Sequence, residues 1–428
     1  MTLTRRKFLA LTAGGAAAAT TGLTGCSSRS SLGAADELSM WAWTGSVNDD
    51  LIAQASQGIP GAPGKKIALT RIGGDYKTKL LTSLAGKSMV PDIVGLNDDV
   101  ATYFPNADQF VDLHELGADS VKSNFLEWKW KLGITPENRM MAFPMDTGPT
   151  ALFYRRDIFA KAGLPTEPGD VAAAAPDWNT YIELGKKLKQ AVPGAAITDN
   201  ITSVYAYALA QLRERYMTVD GQYIGNGDHI RGAWDLSVRV VKEGLSANAQ
   251  SGSTDANAVI TNGRLAAFVG AVWWAQLGPK NAAPESKGNW RVTPAPGGPG
   301  NRGGSFLAIT KYCKDPEAAF KFITWLESAQ NQAQSFLDPV LFPSTPASYV
   351  DPKMTGPDEF FGGQRIVDVF AESAKKYPGT YFSPYDSIIN KPITAELVNV
   401  EIGAKTSDQA WNDAQHLVDR ELTRVGAI

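Results

Sequence analysis

Cysteine and histidine are scarce in this sequence of 428 residues. It has two cysteines, Cys26 and Cys313, and three histidines. So few thiols exclude a framework of disulfide bonds and a cysteine-based metal cluster. The histidines are also too few and too scattered to suggest a zinc site. We therefore expect neither a bound metal nor a cofactor.

The sequence also lacks a strong excess of charge of one sign. Lysine and arginine total 41 residues against 44 for aspartate and glutamate, which gives a formal net charge of −3. Without a basic excess, nucleic acid is not an expected partner. After the first 25 residues, no apolar run is long enough to span a membrane. A hydrophobic content of 43% and a charged content of 20% suit a globular protein, and the length allows two domains.

The start of the chain has the pattern of an export signal. Arg5 and Arg6 precede an apolar, Ala-rich stretch at residues 9–22, which leads into Leu-Thr-Gly and Cys26. A charged region, an apolar region and small residues before a cleavage point are typical of a signal peptide. The twin arginine resembles the signal for proteins exported after folding, and the last four residues resemble a bacterial lipobox. The alternative is an ordinary cleaved signal with a chance cysteine.

The lipobox interpretation divides the first part of the chain in two. Residues 1–25 would be an export signal, and Cys26 would carry lipid as the new N-terminus. Residues 26–36 are rich in Ser, Gly and Ala and would form a flexible tether.

Alternating and periodic apolar residues predict an α/β fold. Alternation predicts strands at residues 37–43, 66–72, 91–96 and 267–272. A period of 3.6 predicts helices at residues 49–57, 76–84 and 230–241. Asp177 and Asp315 are predicted helix caps, Ser407 is predicted to cap the final helix, and residues 164–175 are predicted to be a loop.

Several candidate binding residues follow the first predicted strands. Ligands bind at the carboxyl ends of strands in open α/β sheets. Trp43 ends the first strand, Asp75 follows the second, and Asn97 and Asp98 follow the third. Trp43 could line a cleft or belong to the core, and each polar residue could bind ligand or cap a helix or turn.

A polar corner interrupts two apolar runs in the middle of the chain. Residues 140–144 and 151–154 are apolar, and Asp146 lies in the corner between them. A short helix then ends near Gly163 and Pro165. This pattern fits a chain that passes between two lobes, with Asp146 at the junction or acting as a cap.

An aromatic pair and a glycine pair provide further candidates. Trp273 and Trp274 follow the strand predicted at 267–272, and indole rings pack well on the C–H faces of sugars. Either tryptophan could instead belong to the core. Arg302 precedes Gly303 and Gly304, and Gly304 could let the backbone approach a ligand or simply form a turn. Tyr385 precedes a late helix and is a further candidate.

Several of these stretches resemble one protein family. Residues 73–96, 140–180, 262–268 and 292–309 are similar in kind and order to the extracellular solute-binding proteins of bacterial ABC importers, the sugar-binding family that includes maltose-binding protein. The resemblance implies a two-lobed periplasmic-binding-protein-like α/β fold with a ligand cleft between the lobes and two or three hinge crossings.

The resemblance also implies an organisation for the exported chain. Lobe 1 would comprise residues 37–148 and 307–345, and lobe 2 residues 149–306 and 346–428. The hinge crossings would lie near Asp146, near residues 305–309 and near residues 343–346.

The function implied by the resemblance is carbohydrate binding. A monomeric lipoprotein on the extracellular face of the cell membrane would capture a sugar or oligosaccharide and deliver it to an ABC transporter permease. The residues expected to stack on the sugar are Trp43, Trp273 and Trp274. Those expected to bind its polar groups are Asp75, Asn97, Asp98, Asp146, Arg302, Gly304 and Tyr385.

Three other functions stay open from the sequence. A secreted carbohydrate-active enzyme would need paired carboxylates, which Asp75, Asp98 and Asp146 could supply, although no nucleophile elbow or HExxH motif is present. A binding protein for glycerol phosphate diester or peptide would need a basic clamp, to which Arg71 and Arg302 could contribute. A surface receptor or adhesin is the third.

Overall fold

The computed structural model describes residues 34–338 and 340–428. Its strands, in chain order, are β1 (Glu37–Ala42), β2 (Lys66–Arg71), β3 (Ile93–Leu96), β4 (Phe143–Pro144), β5 (Asp146–Thr147), β6 (Thr150–Arg155), β7 (Ala267–Ala271), β8 (Trp290–Pro294), β9 (Phe306–Ile309) and β10 (Phe342–Pro343). Arg5, Arg6 and Cys26 lie outside the described residues.

Helices make up most of the remaining regular structure. In chain order they are α1 (Asp49–Gln57), α2 (Tyr76–Gly86), α3 (Glu127–Leu132), α4 (Arg156–Lys161), α5 (Pro168–Ala174), α6 (Trp178–Ala191), α7 (Ile201–Leu209), α8 (Asp228–Lys242), α9 (Thr254–Thr261), α10 (Pro316–Leu326), α11 (Ala329–Leu337), α12 (Ile366–Lys376), α13 (Asp386–Glu401) and α14 (Ser407–Arg424). Among the residues described, no helix combines the length and apolarity needed to cross a membrane.

The first lobe is built around a five-stranded sheet in the order β2-β1-β3-β9-β4. Strand β1 pairs in parallel with β2 and β3, whereas β9 runs antiparallel to β3 and β4. All four residues of β3 and of β9 are buried, as expected for central strands covered on both faces. The Tyr76 hydroxyl donates to the carbonyls of Trp41 (3.0 Å) and Gly95 (2.9 Å), which ties α2 to the ends of β1 and β3.

The second lobe is built around a three-stranded antiparallel sheet in the order β7-β6-β8. Phe153 of β6 stacks on Phe268 of β7 with ring centroids 4.9 Å apart, and both rings are buried in one apolar cluster. A separate apolar cluster joins α7 and α8 to α13 and α14. The second lobe is therefore a small sheet with a large helical part.

The chain passes three times between the lobes. The first passage contains β5 and Gly148, the second runs from Asn301 to Ser305, and the third contains β10. Strand β5 pairs with β10, so the first and third passages are joined by backbone hydrogen bonds. A Cβ atom on Gly148 would lie 1.8 Å from the carbonyl oxygen of Arg302, so only glycine fits where the first two passages meet.

Most predicted elements occur at or near their predicted positions, but two local predictions are wrong. The loop predicted at residues 164–175 contains α5, whose first helical position is Pro168, a residue with the right fixed φ for that position. The cap of α14 is Thr406 rather than Ser407. The Thr406 side chain accepts from the backbone N–H of Gln409, and the Gln409 side chain accepts from the backbone N–H of Thr406. The two bonds form a capping box.

Candidate functional site

A cavity of about 290 Å³ lies between the two lobes. Residues from the carboxyl end of β3, the second passage, α7 and the first turns of α13 form its wall. They are Asn97, Asp98, Asp99, Ala101, Thr102, Ala206, Leu209, Ala210, Arg215, Asn301, Arg302, Phe382, Ser383, Asp386, Ser387 and Asn390. Both lobes therefore contribute hydrogen-bonding side chains to one cleft.

Asp98 and Asp99 form the wall of the first lobe. Asp98 Oδ2 accepts a hydrogen bond of 3.1 Å from the backbone N–H of Gly303. Burial raises the pKa of Asp98, and the adjacent Asp99 raises it further, whereas Arg302 lowers it. Asp99 is paired with Lys77 of α2. These carboxylates lie where the carboxyl end of a central strand meets the cleft, which is the position where such sheets bind ligands.

One hydrogen bond joins two residues of the cavity wall from different lobes. The Ser387 hydroxyl, in the first turn of α13, donates to Asp99 Oδ2 across 3.4 Å. The first residue belongs to the second lobe and the other to the first lobe. The lobes are therefore close enough in this structure to contact each other directly.

Arg215 and Asp386 form the wall of the second lobe. Arg215 Nε lies 3.4 Å from Asp386 Oδ2, and the guanidinium carbon lies 4.7 Å from the centroid of the Phe382 ring. Burial raises the pKa of Asp386 to about 6, although Arg215 opposes the shift. Asp386 Oδ1 also accepts from the backbone N–H of Ser383, in the turn that precedes α13.

Three of the predicted binding residues line this cavity. Asn97 and Asp98 follow β3 as the sequence pattern indicated, and Arg302 enters from the second passage. The Arg302 guanidinium carbon lies 5.2 Å from the Tyr207 ring centroid, so the side chain lies against α7 of the second lobe. Their contact with a ligand stays a prediction.

The predicted aromatic residues are placed elsewhere. Trp43 packs edge-on against Tyr76 at 5.5 Å and covers Gly95. Trp273 fills the space beside Gly148 and Gly303, where a Cβ on Gly303 would lie 2.6 Å from the indole. Trp274 lines a separate pocket of about 20 Å³ within the second lobe. None of the three lines the cavity of about 290 Å³, all three are partly exposed, and their contact with a ligand stays a prediction.

Two of the other predicted binding residues, Asp75 and Asp146, accept hydrogen bonds from backbone N–H groups. Asp75 caps α2 by accepting from the Thr78 N–H at 3.0 Å. Asp146 Oδ1 accepts from the Ser305 N–H at 2.7 Å, and burial raises the pKa of Asp146. Gly304 has a φ of +95°, and a Cβ there would lie 2.6 Å from the Asp146 carbonyl oxygen. Tyr385 immediately precedes α13 and packs against the helical cluster.

Sequence reasoning missed the residues of the second-lobe wall. Arg215 and Asn301 lie in loops. Phe382 precedes α13, Asp386 begins it and Asn390 lies one turn further on. Their only local signal is the run from Phe382 to Asp386, in which Ser383 and Asp386 form a turn at a helix start. Nothing local indicates that this helix start meets Arg215.

Behind the cavity, Lys129 is buried among acidic side chains. Only 1% of Lys129 is exposed, and its ammonium lies 3.3 Å from the centroid of the Phe306 ring. Burial lowers the pKa of Lys129 to about 7, and the neighbouring Asp146, Asp98 and Glu327 oppose that shift. Burial likewise raises the pKa of Glu327 to about 8. We call Lys129, Asp98, Asp146 and Glu327 the hinge charge cluster. It lies where the three passages meet.

Gln332 of α11 connects the hinge charge cluster to two passages. Its amide nitrogen donates to Glu327 Oε2 (3.1 Å) and to the Met145 carbonyl (2.9 Å). Its oxygen accepts from the Thr345 N–H at 3.0 Å. Within the described residues, no group of three or more His, Cys, Asp or Glu side chains has an arrangement suited to a metal ion.

Comparisons with known proteins agree on one family. The sequence profile of the family described as bacterial extracellular solute-binding protein matches residues 50–333. A crystal structure of an extracellular solute-binding protein of family 1 is 30% identical and has a TM-score of 0.84, and the match covers 90% of this chain and 99% of that chain.

Two sugar-binding proteins are more distant relatives. The lactose-binding protein of Rhizobium radiobacter is 24% identical over 383 residues, which are 85% of this chain and 88% of the relative. The galacto-N-biose/lacto-N-biose I-binding protein of an ABC transporter from Bifidobacterium longum is 20% identical, with a TM-score of 0.76 over 91% of this chain and 97% of that chain. The structural matches confirm the predicted two-lobed α/β fold.

The hinge charge cluster predicts opposite pH dependences for two variants. In Lys129→Met, Glu327 keeps a raised pKa, so stability should fall as the pH rises from 4.5 to about 8, because the folded state holds the proton more tightly. In Glu327→Gln, Lys129 keeps a lowered pKa, so stability should rise from pH 7 to about 10.5, because the unfolded state then holds the proton. Each titrating group should contribute no more than about 1.4 kcal/mol per pH unit.

Urea denaturation of both variants at pH 6, 7, 8 and 9 measures these slopes. Lys131→Met and Glu127→Gln are matched controls, since that ion pair is exposed on the surface of α3. The controls should follow the pH dependence of the unmodified protein. Slopes of the same sign in Lys129→Met and Glu327→Gln would contradict the assignment.

Proposed function

The chain belongs to the bacterial extracellular solute-binding protein family, and from this membership we propose that it binds a short carbohydrate in the cleft between its lobes and delivers it to an ABC transporter. The observation that carries the proposal is the cavity of about 290 Å³ lined by polar side chains from both lobes. Membership of this family implies an extracellular or periplasmic location.

The size and lining of the cavity favour a short sugar. Ligand sites for small molecules begin at roughly 300 Å³, so the cavity suits one or two sugar rings better than a long oligosaccharide. Carboxylates, amides and guanidinium groups dominate the wall, and Phe382 is its only aromatic residue. Sugar hydroxyls both donate and accept, so they can pair with all three kinds of group.

The charges of the cavity compensate one another, which favours a neutral ligand. Arg302 is close enough to Asp98 to lower its pKa, Arg215 lies beside Asp386, and Lys77 pairs with Asp99. A phosphate would need a basic clamp with positive charge to spare. This balance argues against glycerol phosphate diester and against a strongly charged peptide. Arg71 is outside the cavity, paired with Asp49 on the surface.

We propose binding without catalysis. The three carboxylates named as a possible enzymatic pair, those of Asp75, Asp98 and Asp146, do not share the cavity, because Asp75 caps a helix and Asp146 binds the hinge backbone. A glycosidase needs two carboxyl groups that face the same bond. Asp98 therefore lacks either predicted partner. The other two carboxylates of the wall, those of Asp99 and Asp386, are paired with Lys77 and Arg215.

Capture would proceed by closure of the lobes. We propose the lobe bounds given above, residues 37–148 with 307–345 and residues 149–306 with 346–428, moving about the three passages. A solute that contacts both walls stabilises the closed form because it binds that form better. The Ser387–Asp99 contact would form on closure. The closed, monomeric protein would then dock on the permease.

We also propose that Cys26 anchors the protein to the outer face of the cell membrane. The support is the sequence pattern of Arg5, Arg6 and Cys26, which lies outside the described residues. Cys26→Ser should move the protein from the membrane fraction to the soluble fraction, since one thiol would carry the lipid. Immunoblots of fractionated cells measure this, and an unchanged membrane fraction would contradict a lipid anchor at Cys26.

The proposed function predicts a selective rise in melting temperature with a sugar. A ligand present at about 100 times its Kd adds roughly 2.7 kcal/mol to the free energy of unfolding, which moves the midpoint by a few degrees in a chain of this size. Thermal-shift assays of the purified protein with mono-, di- and trisaccharides, glycerol phosphates and peptides make the comparison.

The sugar that raises the midpoint should also be recovered intact after hours with the protein. Release of reducing ends would favour the enzymatic alternative. A shift with a phosphate or a peptide alone would contradict the carbohydrate assignment.

A further inference from the structure

Asn390 occupies a distinctive position in the cavity wall. It lies on α13 one turn after Asp386, so the two side chains share the helix face that borders the cavity. A carboxamide can present either an acceptor or donors to a ligand, depending on which way it is oriented. The group that fixes its orientation therefore decides what the cavity can recognise at this point.

Two buried tyrosines fix the orientation of Asn390. The Tyr216 hydroxyl donates to Asn390 Oδ1 at 2.7 Å, and the Tyr205 hydroxyl lies 3.0 Å from the Tyr216 hydroxyl. Both tyrosines are fully buried, in the apolar cluster that joins α7 and α8 to α13. Because Oδ1 is occupied by a tyrosine held in the core, the amide nitrogen is the group left to face the cavity.

The neighbouring side chains extend this arrangement. Arg215 precedes Tyr216 in the chain and contacts Asp386, so two consecutive residues hold two consecutive turns of α13. Arg215 is also held over the Phe382 ring. The acceptor in this part of the wall is a carboxylate, and the donor beside it is an amide.

We propose that Asn390 is a specificity-determining residue of the cleft, which donates its amide hydrogens to a hydroxyl oxygen of the sugar, and that Tyr216 and Tyr205 are its positioning residues. The inference rests on the proposed function, since it takes the ligand to be a sugar. The Asn390 amide would select sugars that have a hydroxyl oxygen at this point of the cavity. It would reject sugars in which that hydroxyl is replaced by hydrogen. Binding of such a deoxy sugar is weaker because the buried amide donor is left without a hydrogen-bond partner.

The test combines variants of the protein with variants of the sugar. The probe is whichever of lactose, maltose and lacto-N-biose raises the melting temperature of the unmodified protein most, together with each of its monodeoxy analogues. Calorimetry gives Kd for every pair. Asn390→Leu keeps the approximate size of the side chain but can neither donate nor accept a hydrogen bond, so it should weaken binding of the parent sugar by about 10- to 100-fold.

The coupling between protein and sugar identifies the contact. One monodeoxy analogue should lose about 10- to 100-fold affinity for the unmodified protein but no further affinity for Asn390→Leu, because the same bond is already missing. Tyr216→Phe frees the amide, so it should weaken the parent sugar several-fold with the loss confined to the same hydroxyl. The melting temperatures of the ligand-free variants check that each is folded.

Tyr223→Phe is the matched control. Its hydroxyl donates to Gln415 Oε1 at 2.8 Å, a tyrosine–amide bond in the same lobe that lies outside the cavity wall. It should leave every Kd unchanged. The inference is overturned if Asn390→Leu binds the parent sugar normally, if all monodeoxy analogues weaken equally in it, or if Tyr216→Phe and Tyr223→Phe behave alike. Failure of every sugar to bind the unmodified protein would instead refute the proposed function.

Discussion

Two carboxylates of the first lobe hold the backbone of the second passage, and the cleft depends on these bonds. Asp98 accepts from the Gly303 N–H and Asp146 from the Ser305 N–H, so the segment is bound on both sides of Gly304. Hydrogen bonds from backbone N–H groups to carboxylates are shorter and stronger than neutral ones. The same segment carries Asn301 and Arg302 into the cavity. The hinge and the binding wall thus share one segment of the chain.

The hinge charge cluster explains how such buried carboxylates are tolerated. Removing a charge from water costs several kcal/mol unless another charge and hydrogen bonds compensate. Lys129 provides the compensating charge, and Gln332 and Phe306 satisfy the remaining groups. A buried ion cluster of this kind is weak support for stability. It defines one geometry for the three passages, which is what a hinge between two rigid lobes requires.

Local patterns predicted the secondary structure well and the binding wall only in part. Helix α1 occurs at its predicted bounds, and β3 was followed by Asn97 and Asp98 as expected, because alternation, caps and strand ends are short-range features. The three tryptophans were less predictable, since an indole at a strand end can face a ligand or fill the space over a glycine. Trp273 does the latter beside Gly148 and Gly303. Tyr216 and Asn390 meet only because the segment after α7 packs against α13, and no local pattern encodes that contact.

Small-angle X-ray scattering tests most directly whether the lobes close around a solute. Scattering from the purified protein is compared without ligand and with the sugar that raises its melting temperature, at saturation confirmed by calorimetry. The account predicts a smaller radius of gyration with the sugar and a scattering curve that matches the closed arrangement with its Ser387–Asp99 contact. An unchanged radius at full occupancy would contradict capture by closure.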